Sequence, residues 1–285
     1  MIKSKDTVFE KKYSLNCQGR IIDLSTPKVM GIINLTPDSF YDGGKIKSDK
    51  DLLAQTEKHL KHNADFLDLG AFSSRPGAQS ITEDEEIKRL DESVFKIKKE
   101  FPKASLSIDT YRSKVADQVL KQGASIINDI SAGADPDIFT VCSQHNAPIV
   151  LMHHFKDAFN QAELLDTKSV ISDVINFLEP RIENAYKAGV KDVVIDPGFG
   201  FGKELDANYT LLKELKTLRM LNCPILIGLS RKRMVYETLN TEASKALNGT
   251  SALHMLSLLN GGHILRAHDV QEAKEVVDLY LAYQQ

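Results

Sequence analysis

Eight short apolar runs recur along the chain, each closing on a polar or glycine-rich cluster. They are VMGIIN from Val29, DFLDLGA from Asp65, SLSID from Ser105, SIINDIS from Ser125, PIVLMHH from Pro148, DVVIDPG from Asp192, PILIGLS from Pro224 and HILRAHD from His263. Short apolar runs bounded by turn signals read as buried strands, and the stretches between them carry apolar residues at helical spacing. Strand, loop and helix repeated eight times predict an α/β protein of the (β/α)8 (TIM) barrel class. In that fold the residues just past the strand ends share one mouth, so chemistry is sought there.

Upstream, VFEKKYSLNCQG and RIIDLS flank an Asn-Cys-Gln-Gly turn. This predicts an N-terminal β-hairpin within residues 1–27, covering the bottom of a barrel formed by 28–285 in a single domain. Thr82-Glu83-Asp84-Glu85 opens a long helix with a capping-box-like pattern and acids at its positive end. A second long helix carries Val170, Val174, Phe177 and Leu178 at helical spacing, contains Pro180 and stops at Gly189. Ala246 to Gly262 is apolar and rich in small residues, which suits either packing on a neighbouring helix or a subunit interface.

A barrel of this class needs about 250 residues, and the chain has 285. An apolar content of 42% supports a sizeable core. The net charge of −3 offers no basic surface for nucleic acid. No stretch reaches the ~20 apolar residues of a membrane span. MIKSKDTVFEKK lacks the apolar region of a signal peptide. Cys17, Cys142 and Cys223 are widely spaced and form no C-x-x-C pair, so the expectation is a reduced cytoplasmic enzyme without a zinc site.

The strand ends hold the candidate chemistry. After the first, INLTPDSFYDGG presents Asn34, an oxygen donor of the kind Mg²⁺ takes, although on these residues alone a turn-rich loop satisfying its own backbone is the preferred reading. After the second, Arg75 follows Ser73-Ser74 and could grip a carboxylate or phosphate. Asp109, Asn128 and Asp196 end three further strands, and acceptors converging on one volume suit a flat heterocycle with adjacent N–H donors. Asp109 also reads as a cap for the helix that follows it. DPGFGFGKE is not a P-loop, because Lys203 precedes Glu204 and the glycine spacing is one short; its glycines instead let backbone approach a ligand, with Phe199 or Phe201 packing on it. Ser230, Arg231 and Lys232 follow the seventh strand, where barrels often bind phosphate, and Arg266 and His268 of RAHD form a plausible anion clamp.

GIINLTPDSFYDGG, SRPGA, SIDT, INDIS, DPGFGFGK, GLSRK and RAHD, in that order from about Val29 to Asp269, resemble the motifs of the dihydropteroate synthases. The resemblance implies a (β/α)8 enzyme of folate biosynthesis that joins 6-hydroxymethyl-7,8-dihydropterin diphosphate to p-aminobenzoate with loss of pyrophosphate. It implies that Asp109, Asn128, Asp196 and Lys232 hold the pterin, with Met152 and Phe201 packed on its ring. Asn34 would bind Mg²⁺ with the diphosphate, and Arg266 and His268 would anchor that group. Phe40, Ser74, Arg75, Pro76 and Ser230 would form the p-aminobenzoate side, with Asp42 ordering the first loop. A cytoplasmic homodimer through late helices is the expected assembly.

The chain departs from the family pattern at Phe72, where an acid is common, at Ser74, in the HHFKDAFNQ stretch after Met152 and at Arg233. These changes bear on p-aminobenzoate affinity and sulfonamide response rather than on the pterin floor. The competing expectations are a methyltetrahydrofolate-binding methyltransferase of the same superfamily, which has no use for a diphosphate clamp, and a non-catalytic pterin-binding paralogue.

Overall fold

Parallel pairing of eight strands organises the chain. The computed structural model describes residues 13–35, 48–72, 81–154 and 168–285. A hairpin of β1 (Ser14–Cys17) and β2 (Arg20–Asp23) precedes β3 (Lys28–Asn34), β4 (Phe66–Gly70), β5 (Leu106–Asp109), β6 (Ile126–Asp129) and β7 (Ile149–Met152). Then come β8 (Val193–Asp196), β9 (Leu226–Ile227) and β10 (Ile264–Ala267), so each of the eight predicted runs contains a strand. They pair in the order β8-β7-β6-β5-β4-β3-β10-β9, every neighbour parallel. A parallel bridge between Ile195 and Ile225 closes the ring, and the Ile195 N–H donates to the Pro224 carbonyl at 2.9 Å.

The described helices are α1 (Asp49–Lys61), α2 (Glu83–Glu100), α3 (Ser113–Lys121), α4 (Ile138–Gln144), α5 (Val170–Lys187), α6 (Leu205–Lys213), α7 (Arg233–Thr238), α8 (Leu247–Leu259) and α9 (Val270–Gln284). The Thr82 hydroxyl accepts from the Glu85 N–H at 3.2 Å, so α2 starts where its capping pattern places it. Pro180 sits inside α5 without ending it, and Gly189 follows that helix at φ +92°. Among the described residues no helix is long and apolar enough to cross a membrane.

Alternation along the strands sorts the apolar residues into two cores. Leu67, Leu69, Ile127, Leu151, Ile195, Ile227 and Leu265 belong to the cluster shared with the helices. Met30, Phe66, Ile126, Val150, Val194, Leu226 and Ile264 belong to a separate cluster completed by Leu15, Cys17, Ile22 and Leu24 of the hairpin region. The hairpin therefore seals the end of the barrel at which the strands begin, as predicted. Its two-residue turn has Gln18 at φ 51° and Gly19 at φ 90°, the left-handed pair that matches strand twist.

Leu15 is 1% exposed in this plug and Ile21 is 63% exposed on the opposite face. Leu15→Ala should cost about 2–5 kcal/mol and Ile21→Ala less than about 0.5 kcal/mol in urea unfolding. Equal effects would mean that the hairpin does not close the core.

Candidate functional site

The same alternation that seals the barrel builds its mouth. Two positions beyond the plug residues Phe66, Ile126, Val150, Val194, Leu226 and Ile264 stand Asp68, Asn128, Met152, Asp196, Gly228 and Arg266. Parity sends both members of each pair inward, so an apolar bottom layer gives way to a polar one. Asp109 ends β5 between its register partners Gly70 and Asn128.

Asp68 and Arg266 occupy the centre of this layer. Arg266 Nε donates to Asp68 Oδ2 at 2.7 Å, and its Nη2 reaches Asp109 Oδ2 at 3.4 Å. Asn128 Nδ2 donates to the same Asp68 oxygen at 3.1 Å. Acidic and cationic groups are thus interleaved rather than held on separate sides. Asp68 Oδ1 and Asp109 Oδ1 are buried without a hydrogen-bond partner. Burial, and then the charge of Asp68, push the Asp109 carboxyl up to about 7. Burial works against the Arg266 charge, but Asp68 and Asp109 outweigh it and raise this guanidinium above its ordinary value.

Beside them, Asp196 Oδ1 accepts from the Gly198 N–H at 2.7 Å, and Lys232 Nζ donates to the Phe199 carbonyl at 2.6 Å. Gly228 explains how those two side chains share a space. A Cβ at that position would lie 3.2 Å from Asp196 Oδ2 and 3.8 Å from Lys232 Nζ. Burial raises the Asp196 pKa against the pull of Lys232, and lowers that of Lys232 to about 8. Phe201 lies under the lysine, with Nζ 4.4 Å from its ring centroid, whereas Phe199 is fully buried in the core. Only Phe201 is therefore available to a ligand.

Lys203 braces the loop that carries these groups. Its Nζ donates to the Gly198 and Phe201 carbonyls at 2.8 and 3.1 Å and to His153 Nδ1 at 2.8 Å. Gly198 permits this geometry, since at φ +69° a Cβ would fall 1.8 Å from the His153 carbonyl oxygen. His153 is accordingly a neutral acceptor, its pKa driven to about 2 by burial and then by Lys203.

Past the ends of β9 and β10, Ser230 Oγ lies 3.3 Å from His268 Nδ1 and accepts from the His268 N–H at 3.3 Å. Burial and then Arg266 lower the His268 pKa to about 3, so it faces Ser230 as a neutral hydrogen-bonding group. Arg231 is not a mouth cation. At φ 53° it turns away, is 7% exposed and grips both Asp269 oxygens through Nε at 2.6 Å and Nη2 at 3.0 Å. The capping expectation for Asp109 also gives way: α3 begins at Ser113, whose N–H donates to Asp135 Oδ2 at 2.7 Å. Asp129 is fully buried and accepts from the Ser131 N–H and hydroxyl and the Gly133 N–H, each at 2.7 Å, which makes it a turn organiser.

Asn34 is half-buried at the end of β3, opposite Gly70. Among the described residues no group of three His, Cys, Asp or Glu could hold a metal. One amide oxygen is nevertheless the sparse protein contribution that Mg²⁺ takes when phosphate and water complete its shell. Phe40, Asp42, Ser74, Arg75 and Pro76 lie outside the described residues. Asp68 and Lys203 were not assigned a role from the sequence. A charged residue two places after Phe66 in an otherwise apolar strand was the available signal for Asp68.

A family model described as "Pterin binding enzyme" matches residues 30–268. The dihydropteroate synthase of Escherichia coli is 36% identical over 265 residues, covering 92% of this chain and 94% of that protein. The structure of Yersinia pestis dihydropteroate synthase in a sulfonamide drug complex matches with a TM-score of 0.90 and 34% identity, over 95% of this chain and 99% of that one. That of the Xanthomonas albilineans dihydropteroate synthase with 4-aminobenzoic acid matches with a TM-score of 0.88 and 36% identity, over 96% and 99%.

The raised pKa of Asp109 sets a stability signature. Between its ordinary value of 3.8 and about 7 the folded state binds more proton than the unfolded chain, so this residue lowers stability as pH rises through that window. Asp109→Asn should gain in melting temperature relative to the parent between pH 4 and pH 7 and hold that difference above. A difference that does not change with pH would show that Asp109 titrates normally.

Proposed function

The chain belongs to the family of pterin-binding enzymes, and we infer from its barrel mouth how it carries out the dihydropteroate synthase reaction. In that reaction 6-hydroxymethyl-7,8-dihydropterin diphosphate and p-aminobenzoate give 7,8-dihydropteroate and pyrophosphate, a step of folate biosynthesis. The observation that carries the residue assignment is the inward layer in which Asp109, Asn128 and Asp196 meet Lys232 and Arg266 above an apolar plug.

Asp109, Asn128 and Asp196 take the donor-rich edge of the pterin, while Met152 and Phe201 pack on its ring and Lys232 adds a donor. Breaking the C–O bond to diphosphate leaves positive charge on the pterin methylene, which the ring shares. Carboxylates that are costly to ionise alone become favourable beside that charge, so Asp109 and Asp196 stabilise an S_N1-like transition state more than the ground state. Arg266 and His268 hold the diphosphate. Asn34 would hold Mg²⁺ there, and that ion when bound supplies neutralisation of the leaving-group charge. Ser230, with Phe40, Ser74, Arg75 and Pro76, orients p-aminobenzoate. Its amine nitrogen forms the new C–N bond and then releases a proton to solvent; positioning suffices without a general base.

We place the enzyme in the cytoplasm, in keeping with three buried thiols. We also assign a homodimer through the late helices, where Leu256 of α8 is 46% exposed and Leu279 and Tyr283 of α9 are 63% and 73% exposed. Sedimentation at micromolar concentration should return a dimer, and a monomer would remove this assignment.

Incubation with the pterin diphosphate, p-aminobenzoate and Mg²⁺ should yield dihydropteroate and pyrophosphate, with chelation abolishing turnover. Asp196→Asn should lower kcat/KM on the order of 100-fold or more. Asp129→Asn should act mainly on the melting temperature, because its hydrogen bonds organise a turn. Equal kinetic losses in the two variants would take Asp196 out of the pterin site.

A further inference from the structure

Asp68 lies inside the second apolar run, DFLDLGA, rather than at its polar end, yet it is fully buried in β4 and touches two groups assigned to substrate. Its Oδ2 accepts from Arg266 Nε at 2.7 Å and from Asn128 Nδ2 at 3.1 Å. We propose that Asp68 is a positioning residue of the synthase reaction, presetting the Arg266 fork and the Asn128 amide before the pterin diphosphate arrives. The proposal rests on the functional reading above.

Each contact removes a freedom that binding would otherwise have to remove. An arginine side chain has several rotatable bonds and five N–H donors in one plane. Anchoring Nε fixes that plane, and the Nη donors not turned to Asp109 are then set for an anion instead of being ordered by it. A side-chain amide can present either a donor or an acceptor. Because Asn128 spends Nδ2 on Asp68, its Oδ1 remains to accept from a ring N–H, which gives the floor its preference for a donor edge.

A purely structural role accounts poorly for this carboxylate. Asp68 Oδ1 is buried with no hydrogen-bond partner, a stability penalty that an apolar residue at this inward position would avoid. The same burial keeps Asp68 from meeting substrate directly, so its influence passes through Arg266 and Asn128.

A double-mutant cycle tests this in the product-forming assay. Asp68→Asn should lower kcat/KM for the pterin diphosphate on the order of ten- to a hundred-fold, the loss expected of a charge-assisted hydrogen bond. In an Arg266→Ala background the same change should cost several-fold less than in the parent, because only the Asn128 contact is left to lose. Calorimetry should also show Asp68→Asn losing discrimination between pterin and a 2-oxo analogue of the ring, since neither amide is then held in one orientation. Equal losses in both backgrounds with unchanged ring selectivity would overturn the proposal. Thermal unfolding checks each variant. Should Asp68→Asn fail to fold, Asp68→Ser takes its place, and failure of both would make Asp68 a stability residue and overturn the positioning role. A parent enzyme that forms no dihydropteroate would instead overturn the functional reading, and this proposal with it.

Discussion

Period-two alternation inside a closed ring of parallel strands is the constraint on which the molecule depends. Once the ring is closed between Ile195 and Ile225, every second residue of each strand has no option but to face the interior. The chain uses that obligation twice on the same strands. Phe66, Ile126, Val150, Val194 and Ile264 fill the interior with apolar volume against the hairpin, and the next inward residues carry the chemistry. The residues of the site that stand on strands inherit their rigidity, and the apolar plug closes the barrel beneath them.

Burial of charge is the cost of that arrangement and also its use. Asp109 and Asp196 are held above their ordinary carboxylate range, and Lys203 and Lys232 are held at about 7 and about 8. None of these shifts helps the chain to fold. A donor-rich ring edge beside the carboxylates and an anion beside Arg266 would offset that cost. The glycines serve the same purpose sterically, Gly228 by leaving space between Asp196 and Lys232 and Gly198 by letting the loop pass under His153.

Cations near one another in sequence are divided by what each can reach. Arg231 and Lys232 are adjacent, yet the left-handed backbone at Arg231 turns its side chain into Asp269 while Lys232 enters the mouth. Arg266 was legible as a mouth residue by its place at a strand end, but its engagement with Asp68 and Asp109 was not. Those acids lie 198 and 157 positions away, and no local pattern connects them.

The strands, their order along the chain, the hairpin plug and the start of α2 could be read from sequence, because each follows from local periodicity, turn chemistry or capping. So could the line of strand ends where Asn34, Asp109, Asn128, Asp196, Lys232 and Arg266 stand. The tertiary structure alone decided which acid meets which cation, that the first N–H of α3 goes to Asp135 rather than to Asp109, that Phe199 joins the core while Phe201 faces the mouth, and that Asp68 contacts Arg266 and Asn128. The physical reason is the range of the interactions. Strand and helix signals are set by neighbours a few residues away, whereas ion pairs and buried pKa values depend on distances that exist only once the ring has closed.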